Sequence, residues 1–135
     1  GAFYAGVMLY TLSWIGALTG AFDIITWLDI PFHFLGGFLV GLFAIDAFKE
    51  SLKAERGIWH DAVIVLGAAL LVGYAWEVYE YILTLFFGKL FAAHSIDCCI
   101  GTTLDTLKDL FMDSLGAVVV FIVVRRRNKN SPLFR

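Results

Sequence analysis

The segment LDTLKDLFMDSLGAVVVFIVV (residues 104–124) is the most informative part of the chain, because it combines a long apolar run with regularly spaced carboxylates. A helix of about 20 residues crosses the ~30 Å hydrocarbon core of a bilayer, and this segment has that length. Asp105, Asp109 and Asp113 are each four residues apart, a spacing that drifts only ~40° per step around a helix. The segment therefore predicts a membrane-spanning helix with an acidic stripe on one face.

Three further apolar stretches precede it, at about residues 3–22, 31–48 and 62–87. Of the 135 residues, 60% are hydrophobic and 16% are charged, which is far more apolar than an average soluble domain. Each stretch is long enough to cross a bilayer. We therefore expect an all-α, polytopic membrane protein, with residues 1–135 forming a single bundle of four transmembrane helices.

Local signals suggest where the helices begin and how they pack. Pro31 suits the first position of the second helix, and Asp61 is a plausible N-cap of the third. Glycines four residues apart allow two helix backbones to approach closely. Such pairs occur in the first two stretches: Gly16 with Gly20, and Gly37 with Gly41.

Basic residues predict the orientation. Lys49, Lys53 and Arg56 follow the second stretch and residues 125–129 hold a further basic cluster, whereas the opposite loops carry only Lys89. Basic loops stay in the cytoplasm, so we expect both termini there, in a prokaryotic inner (plasma) membrane. The net charge of −2 argues against nucleic-acid binding. Without a basic n-region or a small-residue cleavage site, the first stretch is not expected to be a signal peptide.

Carboxylates and one histidine gather near the predicted extracytoplasmic face. Asp29 and His33 are four residues apart at the start of the second stretch, so they share a helix face if the helix extends back that far. Counting from residue 62 at ~1.5 Å per residue places Glu77 at ~22 Å and Glu80 at ~27 Å across the membrane. Three helices thus bring seven residues to similar depth: Asp29, His33, Glu77, Glu80, Asp105, Asp109 and Asp113.

These six carboxylates have only Lys108 as a nearby fixed cation, so they cannot all ionise in a low-dielectric environment without a further positive charge. Protons are one source, and a divalent metal, Mg²⁺, Mn²⁺, Ca²⁺, Zn²⁺ or Fe²⁺, is the favoured one. We therefore predict that the seven residues are metal ligands. Two of them have simpler alternatives, since Asp29 and Asp105 are also suited to capping helices. His33 could be an interfacial histidine bonded to one carboxylate.

Other polar and aromatic residues are expected to have lesser roles. Cys98 and Cys99, with His94, form a weaker candidate for a soft-metal site. His60 is expected on the cytoplasmic surface. Four aromatic side chains around the acidic residues of the third stretch are expected to form a membrane-interface belt and packing shell: Tyr74, Trp76, Tyr79 and Tyr81.

Three motifs carry a resemblance to a known family. They are Asp29-x-x-x-His33, Trp76-Glu77-x-x-Glu80 and Asp105-Thr106-x-x-Asp109-x-x-x-Asp113-x-x-Gly116-Ala117. In order and spacing they resemble the YjdF-like inner-membrane proteins of bacteria and archaea, and more distantly the VanZ-like membrane proteins. The resemblance covers roughly residues 23–124. It implies a polar site in the membrane and supplies no substrate.

Three functions fit this pattern. The first is a metal-dependent enzyme acting on a lipid or lipid-linked substrate, in which Glu80 or His33 moves protons as a catalytic residue. The second is a non-enzymatic scaffold that a metal stabilises, with membrane lipids as surroundings and a homo-oligomer formed through glycine-rich helix faces. The third is a proton or ion carrier. It is the least favoured, because the inner half of the third stretch has no ionisable group.

Overall fold

The computed structural model describes residues 1–25, 27–52, 57–94 and 101–127, and all regular secondary structure within them is helical. Four helices are long and two are single turns. In chain order they are α1 (Ala2–Leu18), α2 (Ala21–Ile24), α3 (Asp29–Ala47), α4 (Lys49–Leu52), α5 (Ile58–Ala93) and α6 (Thr103–Arg127). The first predicted apolar stretch therefore corresponds to α1 and α2 together. The other three stretches correspond to α3, α5 and α6.

Two helices begin earlier than predicted. α3 begins at Asp29, so Pro31 lies inside the first turn, where backbone N–H groups have no partner within the helix and a proline is tolerated. α5 begins at Ile58, after Gly57 at φ 90°, and Asp61 is a buried residue of its first turn. The prediction that Asp61 is the N-cap is therefore wrong. α5 also continues six residues beyond the predicted end, to Ala93.

The first apolar stretch forms two helices. α1 ends at Leu18, and Gly20 at φ 69° adopts the left-handed conformation that favours glycine and turns the chain into α2. A Cβ at Gly16 would meet the Phe22 ring, not another helix backbone. The prediction that Gly16 and Gly20 form a helix-packing face is therefore wrong, because Gly20 lies beyond the end of α1 and Gly16 faces the Phe22 ring of α2.

α3 and α6 pack with their backbones in close contact. A Cβ added at Gly37 would overlap the backbone of Asp113, and one at Gly116 would overlap the backbone of Phe34. One turn along α3, Gly41 faces Ala117 and Val120 of α6. The prediction that Gly37 and Gly41 allow close packing is confirmed, and their partner is α6 of the same chain.

α5 completes a three-helix core. Its buried residues follow one another at intervals of four, which places them on one face of the helix: Asp61, Val65, Ala69, Gly73 and Glu77. In the middle of the bundle Val65 and Ala69 pack against Ala117 and Phe121 of α6, and together they form an apolar layer. Charged residues lie on either side of that layer. The core thus has two polar ends.

Two described helices, α3 and α5, are long and apolar enough to cross a membrane. α1 is apolar but has only 17 residues. α6 is long enough, but its first half carries Asp105, Lys108, Asp109 and Asp113, and it ends in three arginines. Length and composition alone therefore identify two candidate spans in the described structure, compared with the four that the sequence predicts.

Candidate functional site

The seven residues predicted from the sequence line one cavity. It has a volume of about 520 Å³ and lies between α1, α3 and α5, with the start of α6 at one end. α3 contributes two of the seven, α5 two and α6 three: Asp29, His33, Glu77, Glu80, Asp105, Asp109 and Asp113. We call this end of the bundle the acidic end.

The closest group at the acidic end consists of Asp29, His33 and Asp109. One ligand atom from each lies within 4.8 Å of the other two. Because α3 already begins at Asp29, the spacing of four places His33 Nε2 3.4 Å from Asp29 Oδ1. His33 and Asp109 are buried and Asp29 is half-buried. Three potential ligands of a single ion therefore converge from two helices.

Asp113 lies on the other side of the His33 ring. Its Oδ2 atom is 3.5 Å from His33 Nδ1, so each ring nitrogen faces a carboxylate. Glycines make room for Asp113: a Cβ at Gly73 would overlap its carboxylate, and one at Gly37 would overlap its backbone. The close packing of α3 against α6 therefore holds Asp113 beside His33.

Lys108 is the one lysine or arginine among the described residues that line the cavity. Its Nζ atom lies 2.5 Å from Asp105 Oδ1, 3.6 Å from Asp29 Oδ2 and 3.6 Å from Asp109 Oδ1. A single ammonium therefore contacts three carboxylates. It does not balance the charge of the six carboxylates that line the cavity.

The start of α6 has its own cap. The Thr102 hydroxyl accepts a hydrogen bond from the backbone N–H of Asp105 at 3.2 Å. Thr102 therefore performs the capping role that was the simpler explanation for Asp105. The other predicted cap, Asp29, lies within the first turn of α3, and no side chain caps that helix start.

Two buried carboxylate oxygens have no hydrogen-bond partner within the described structure: Glu77 Oε1 and Asp109 Oδ1. Both residues are about 95% buried, with exposed fractions of 5% and 4%. A buried carboxylate oxygen without a partner is costly, since it has lost its hydration. Glu80 is half-buried on the same cavity wall. The acidic end thus has buried carboxylate oxygens that accept no hydrogen bond, and more carboxylates than basic side chains.

The arrangement can hold a divalent cation. Carboxylate oxygens and an imidazole nitrogen are common ligands of Mn²⁺, Fe²⁺ and Zn²⁺. A cation among Asp29, His33 and Asp109 would also supply the positive charge that Lys108 alone does not.

The sequence analysis missed the polar group at the other end of the core. Arg125 Nη1 lies 3.5 Å from Asp61 Oδ2, and His60 Nδ1 lies 3.3 Å from Asp61 Oδ1. Asp61 is only 5% exposed, and His60, expected on the surface, is half-buried. The sequence did carry a signal for this group: Asp61 is separated from Glu77 by a multiple of four residues, so both lie on the buried face of α5. We call this the arginine end.

The second candidate metal site falls largely outside the described residues. Cys98 and Cys99 are not among them. His94 is exposed at the end of α5, with Nδ1 2.9 Å from the Leu90 carbonyl oxygen. The prediction of a soft-metal site therefore stays a prediction.

The helical fold of the described residues, two apolar helices of spanning length and a largely buried Asp-His-Asp group are typical of a membrane protein with a polar site inside its bundle. Comparison with protein families agrees with this class. The model of the DUF2238 family, described as predicted membrane proteins, matches residues 2–130, so the chain belongs to that family. Searches of curated proteins and of solved structures gave no significant match.

Proposed function

We propose that this protein is an integral membrane protein that binds one divalent metal ion through Asp29, His33 and Asp109. The observation that carries the proposal is the convergence of these three side chains within 4.8 Å, in a site whose carboxylates outnumber its cations. Asp109 Oδ1 supports it, because this buried oxygen accepts no hydrogen bond and lies 3.6 Å from the Lys108 ammonium, and a metal would give it a ligand bond. Glu77, whose Oε1 accepts no hydrogen bond, lines the same cavity and is a candidate for a further ligand from α5.

The ligand set narrows the choice of metal. Mg²⁺ and Ca²⁺ prefer oxygen ligands throughout, whereas the imidazole of His33 favours Mn²⁺, Fe²⁺ or Zn²⁺. With His33 as a ligand, Nε2 is the coordinating atom, since it faces Asp29. Nδ1 faces Asp113, and a carboxylate on the second nitrogen is the usual way to orient a metal-binding histidine.

Metal analysis by inductively coupled plasma mass spectrometry tests the proposal on the detergent-purified protein. We expect about one metal per chain in the wild type and in Asp46→Asn, an exposed carboxylate of α3. Asp109→Asn should lose the metal while it elutes from size exclusion as the wild type does. If the wild type holds no metal after dialysis against Mn²⁺, Zn²⁺ and Fe²⁺, or if Asp109→Asn keeps it, the proposal is wrong.

The proposed topology has four crossings, with both termini in the cytoplasm and the acidic end at the extracytoplasmic face of a prokaryotic inner membrane. Three arginines end α6 at the arginine end, and Lys49 follows α3 on the same side of the bundle. A green fluorescent protein fused after Arg127 should fluoresce in cells, since it folds in the cytoplasm. An alkaline phosphatase at the same site should be inactive. The reverse result would invert the topology.

An enzyme acting on a lipid or lipid-linked substrate is the second candidate function, which the cavity beside the site favours. A metal-bound water would be the nucleophile and Glu80 the proton carrier, because His33 is occupied as a ligand. Turnover of a lipid phosphate that Glu80→Gln abolishes, with metal retained, would support an enzyme. Metal without turnover would support a metal-stabilised scaffold. The apolar layer between the two polar ends argues against an ion carrier.

A further inference from the structure

The cavity wall formed by α1 and α5 differs from the wall that carries the proposed metal site. The three converging metal-site residues belong to α3 and α6, whereas α1 and α5 contribute aromatic side chains and two glutamates. Of the four aromatic residues of α5 expected in a membrane-interface belt, two line the cavity, and Tyr74 and Tyr81 are exposed. The lining aromatic residues on α1 and α5 are Tyr10, Trp14, Trp76 and Tyr79. We call these four residues the aromatic group.

The aromatic group joins α1 to α5 along the cavity. The Tyr10 ring lies perpendicular to the Trp76 ring, with centroids 5.9 Å apart, and the Trp76 and Tyr79 centroids are 5.5 Å apart. The Tyr79 hydroxyl interacts with the side chains of Tyr10 and Trp14. Elsewhere α1 packs chiefly against α3. The side of the cavity between α1 and α5 is therefore lined by aromatic rings.

Glu80 lies beside the aromatic group. It follows Trp76 by four residues, which places both side chains on one face of α5, and the Trp76 side chain interacts with its carboxylate. Glu77 is one turn away, and its buried Oε1 accepts no hydrogen bond within the described structure. Glu80 is not one of the three residues that converge at the proposed metal site. A carboxylate and several aromatic rings thus line the same part of the cavity.

The charge around the cavity favours a cation there. Among the described lining residues, α1 and α5 contribute no lysine or arginine, and Lys108 of α6 pairs with Asp105. Even with a divalent ion bound, that ion and Lys108 supply three positive charges against six carboxylates. Protons or a further cation can neutralise the remaining carboxylates, whereas an anion would add to the excess of negative charge.

We propose that the cavity binds a singly charged organic cation, such as a substituted ammonium, with its charge beside Glu80 and its apolar substituents against the aromatic group. The faces of tryptophan and tyrosine rings attract such cations, and aromatic rings beside a carboxylate are a known way to recognise them. Indole and phenyl faces are not usual ligands of a metal ion, so this wall favours an organic cation over a second metal. Leu9 and Leu83 extend the apolar lining. The proposal goes beyond the metal site and does not require it.

Equilibrium dialysis of the detergent-purified protein against radiolabelled tetraphenylphosphonium tests the charge recognition. We expect saturable binding of about one cation per chain. Glu80→Gln should weaken it at least about tenfold, because a desolvated cation would lose its countercharge. Asp46→Asn, an exposed carboxylate of α3, should bind as the wild type does. Equal affinity of Glu80→Gln and the wild type, or a wild type that binds none as a monomer or as a dimer, would overturn the proposal.

A second variant tests the aromatic group. Trp76→Leu keeps an apolar side chain and removes the ring, so the affinity should fall about fivefold. Trp59→Leu is the control, because Trp59 is on the same helix and 82% exposed. Unchanged affinity in Trp76→Leu would overturn the role of the aromatic rings.

A pair of competitors of equal shape separates charge from apolar character. Trimethylphenylammonium should displace tetraphenylphosphonium, and its uncharged isostere tert-butylbenzene should not do so at the same concentration. Equal displacement by the two compounds would show an apolar pocket that does not recognise charge, and would overturn the proposal.

Metal content, measured on the same preparations, distinguishes this proposal from the metal site. Glu80→Gln should keep its metal, and saturating Mn²⁺ should leave tetraphenylphosphonium bound. Complete displacement by Mn²⁺ would place the organic cation on the metal ligands and overturn the separate site. A wild type that holds metal and binds no organic cation overturns this proposal alone. Glu80-dependent binding in a protein that takes up no metal would overturn the metal site alone.

Discussion

The two polar ends of the three-helix core differ in how their charges are balanced. At the arginine end, Asp61 faces Arg125 and His60, so one carboxylate has two basic neighbours. At the acidic end, six carboxylates line the cavity, and Lys108 and His33 are the basic side chains beside them. A buried charge is tolerated when a partner compensates its desolvation. At the arginine end one carboxylate has two basic neighbours, whereas at the acidic end the carboxylates outnumber the basic side chains, and protons or a metal ion can neutralise the difference.

The contrast suggests different roles for the two ends: the arginine end stabilises the fold, and the acidic end is the candidate functional site. A matched ion pair between α5 and α6 ties the helices together and leaves nothing for a ligand to do. Unmatched buried carboxylates oppose folding unless protons or a ligand neutralise them, so they mark the acidic end as the candidate functional site. Removal of one charged group should therefore have different effects at the two ends: loss of stability at the arginine end, and loss of metal at the acidic end.

The largest effect is expected at Gly37, where the acidic end depends on contact between two backbones. Gly37→Ala would place a Cβ into the backbone of Asp113, so α3 and α6 must separate. We expect a loss of about 3 kcal/mol in the free energy of unfolding, at the upper end for overpacking. Thermal unfolding in detergent measures it.

Gly67→Ala is the matched control for Gly37→Ala, because its Cβ would meet nothing within 4 Å. It should stabilise the protein by ~0.5–1 kcal/mol, the usual gain for alanine over glycine in a helix. Equal melting of the two variants would show that the close approach of α3 and α6 does not hold the acidic end together.

The next effect is expected at Asp61, where removing one charge should destabilise the protein without affecting the metal. Loss of one partner from a fully buried pair costs ~3–5 kcal/mol. Since the Arg125 side chain is 32% exposed, we expect about 1–3 kcal/mol for Asp61→Asn, measured by thermal unfolding. Metal content should stay at the wild-type level.

A double variant checks the Asp61 prediction. If the pair is coupled, Asp61→Asn together with Arg125→Gln should cost less than the sum of the two single changes. Additive losses, or loss of metal in Asp61→Asn, would contradict the division between the two ends.

Asp113→Asn should weaken metal binding without abolishing it. Asp113 contacts His33 from the side away from Asp29, and such an orienting residue typically contributes 10–100-fold in metal affinity. Competition with a chelator measures the change. Ser114→Ala is the control, because the Ser114 hydroxyl donates to the Leu110 carbonyl of its own helix. Complete loss of metal in Asp113→Asn would indicate that Asp113 is itself a ligand. An unchanged metal affinity would contradict its role in orienting His33.

The smallest effect is expected for Asp105→Asn, at the exposed edge of the acidic end. Asp105 and Lys108 are 40% and 36% exposed, so their ion pair should contribute only ~0.2–1 kcal/mol. Metal content should not change. Loss of metal in this variant would restore Asp105 to the ligand set that the sequence predicts.

The spacing of residues in the sequence was enough to predict contacts wherever the residues concerned lie on one face of a single helix. The interval of four along α6 predicted the acidic stripe, and the same interval placed Asp29 beside His33. Gly37 and Gly41 were predicted to lie in a helix interface for the same reason. Pattern failed where the backbone departs from a helix, as at Gly20, and where one residue type suits two roles, as at Asp61.

The sequence by itself determined the helices, their apolar character and the gathering of carboxylates toward one end, because these depend on composition and on the period of a helix. Only the tertiary structure decided which carboxylates approach His33, which glycines make room for Asp113 and that Arg125 faces Asp61. The physical reason is that these contacts join different helices, and their rotation and offset depend on how the side chains of all three pack.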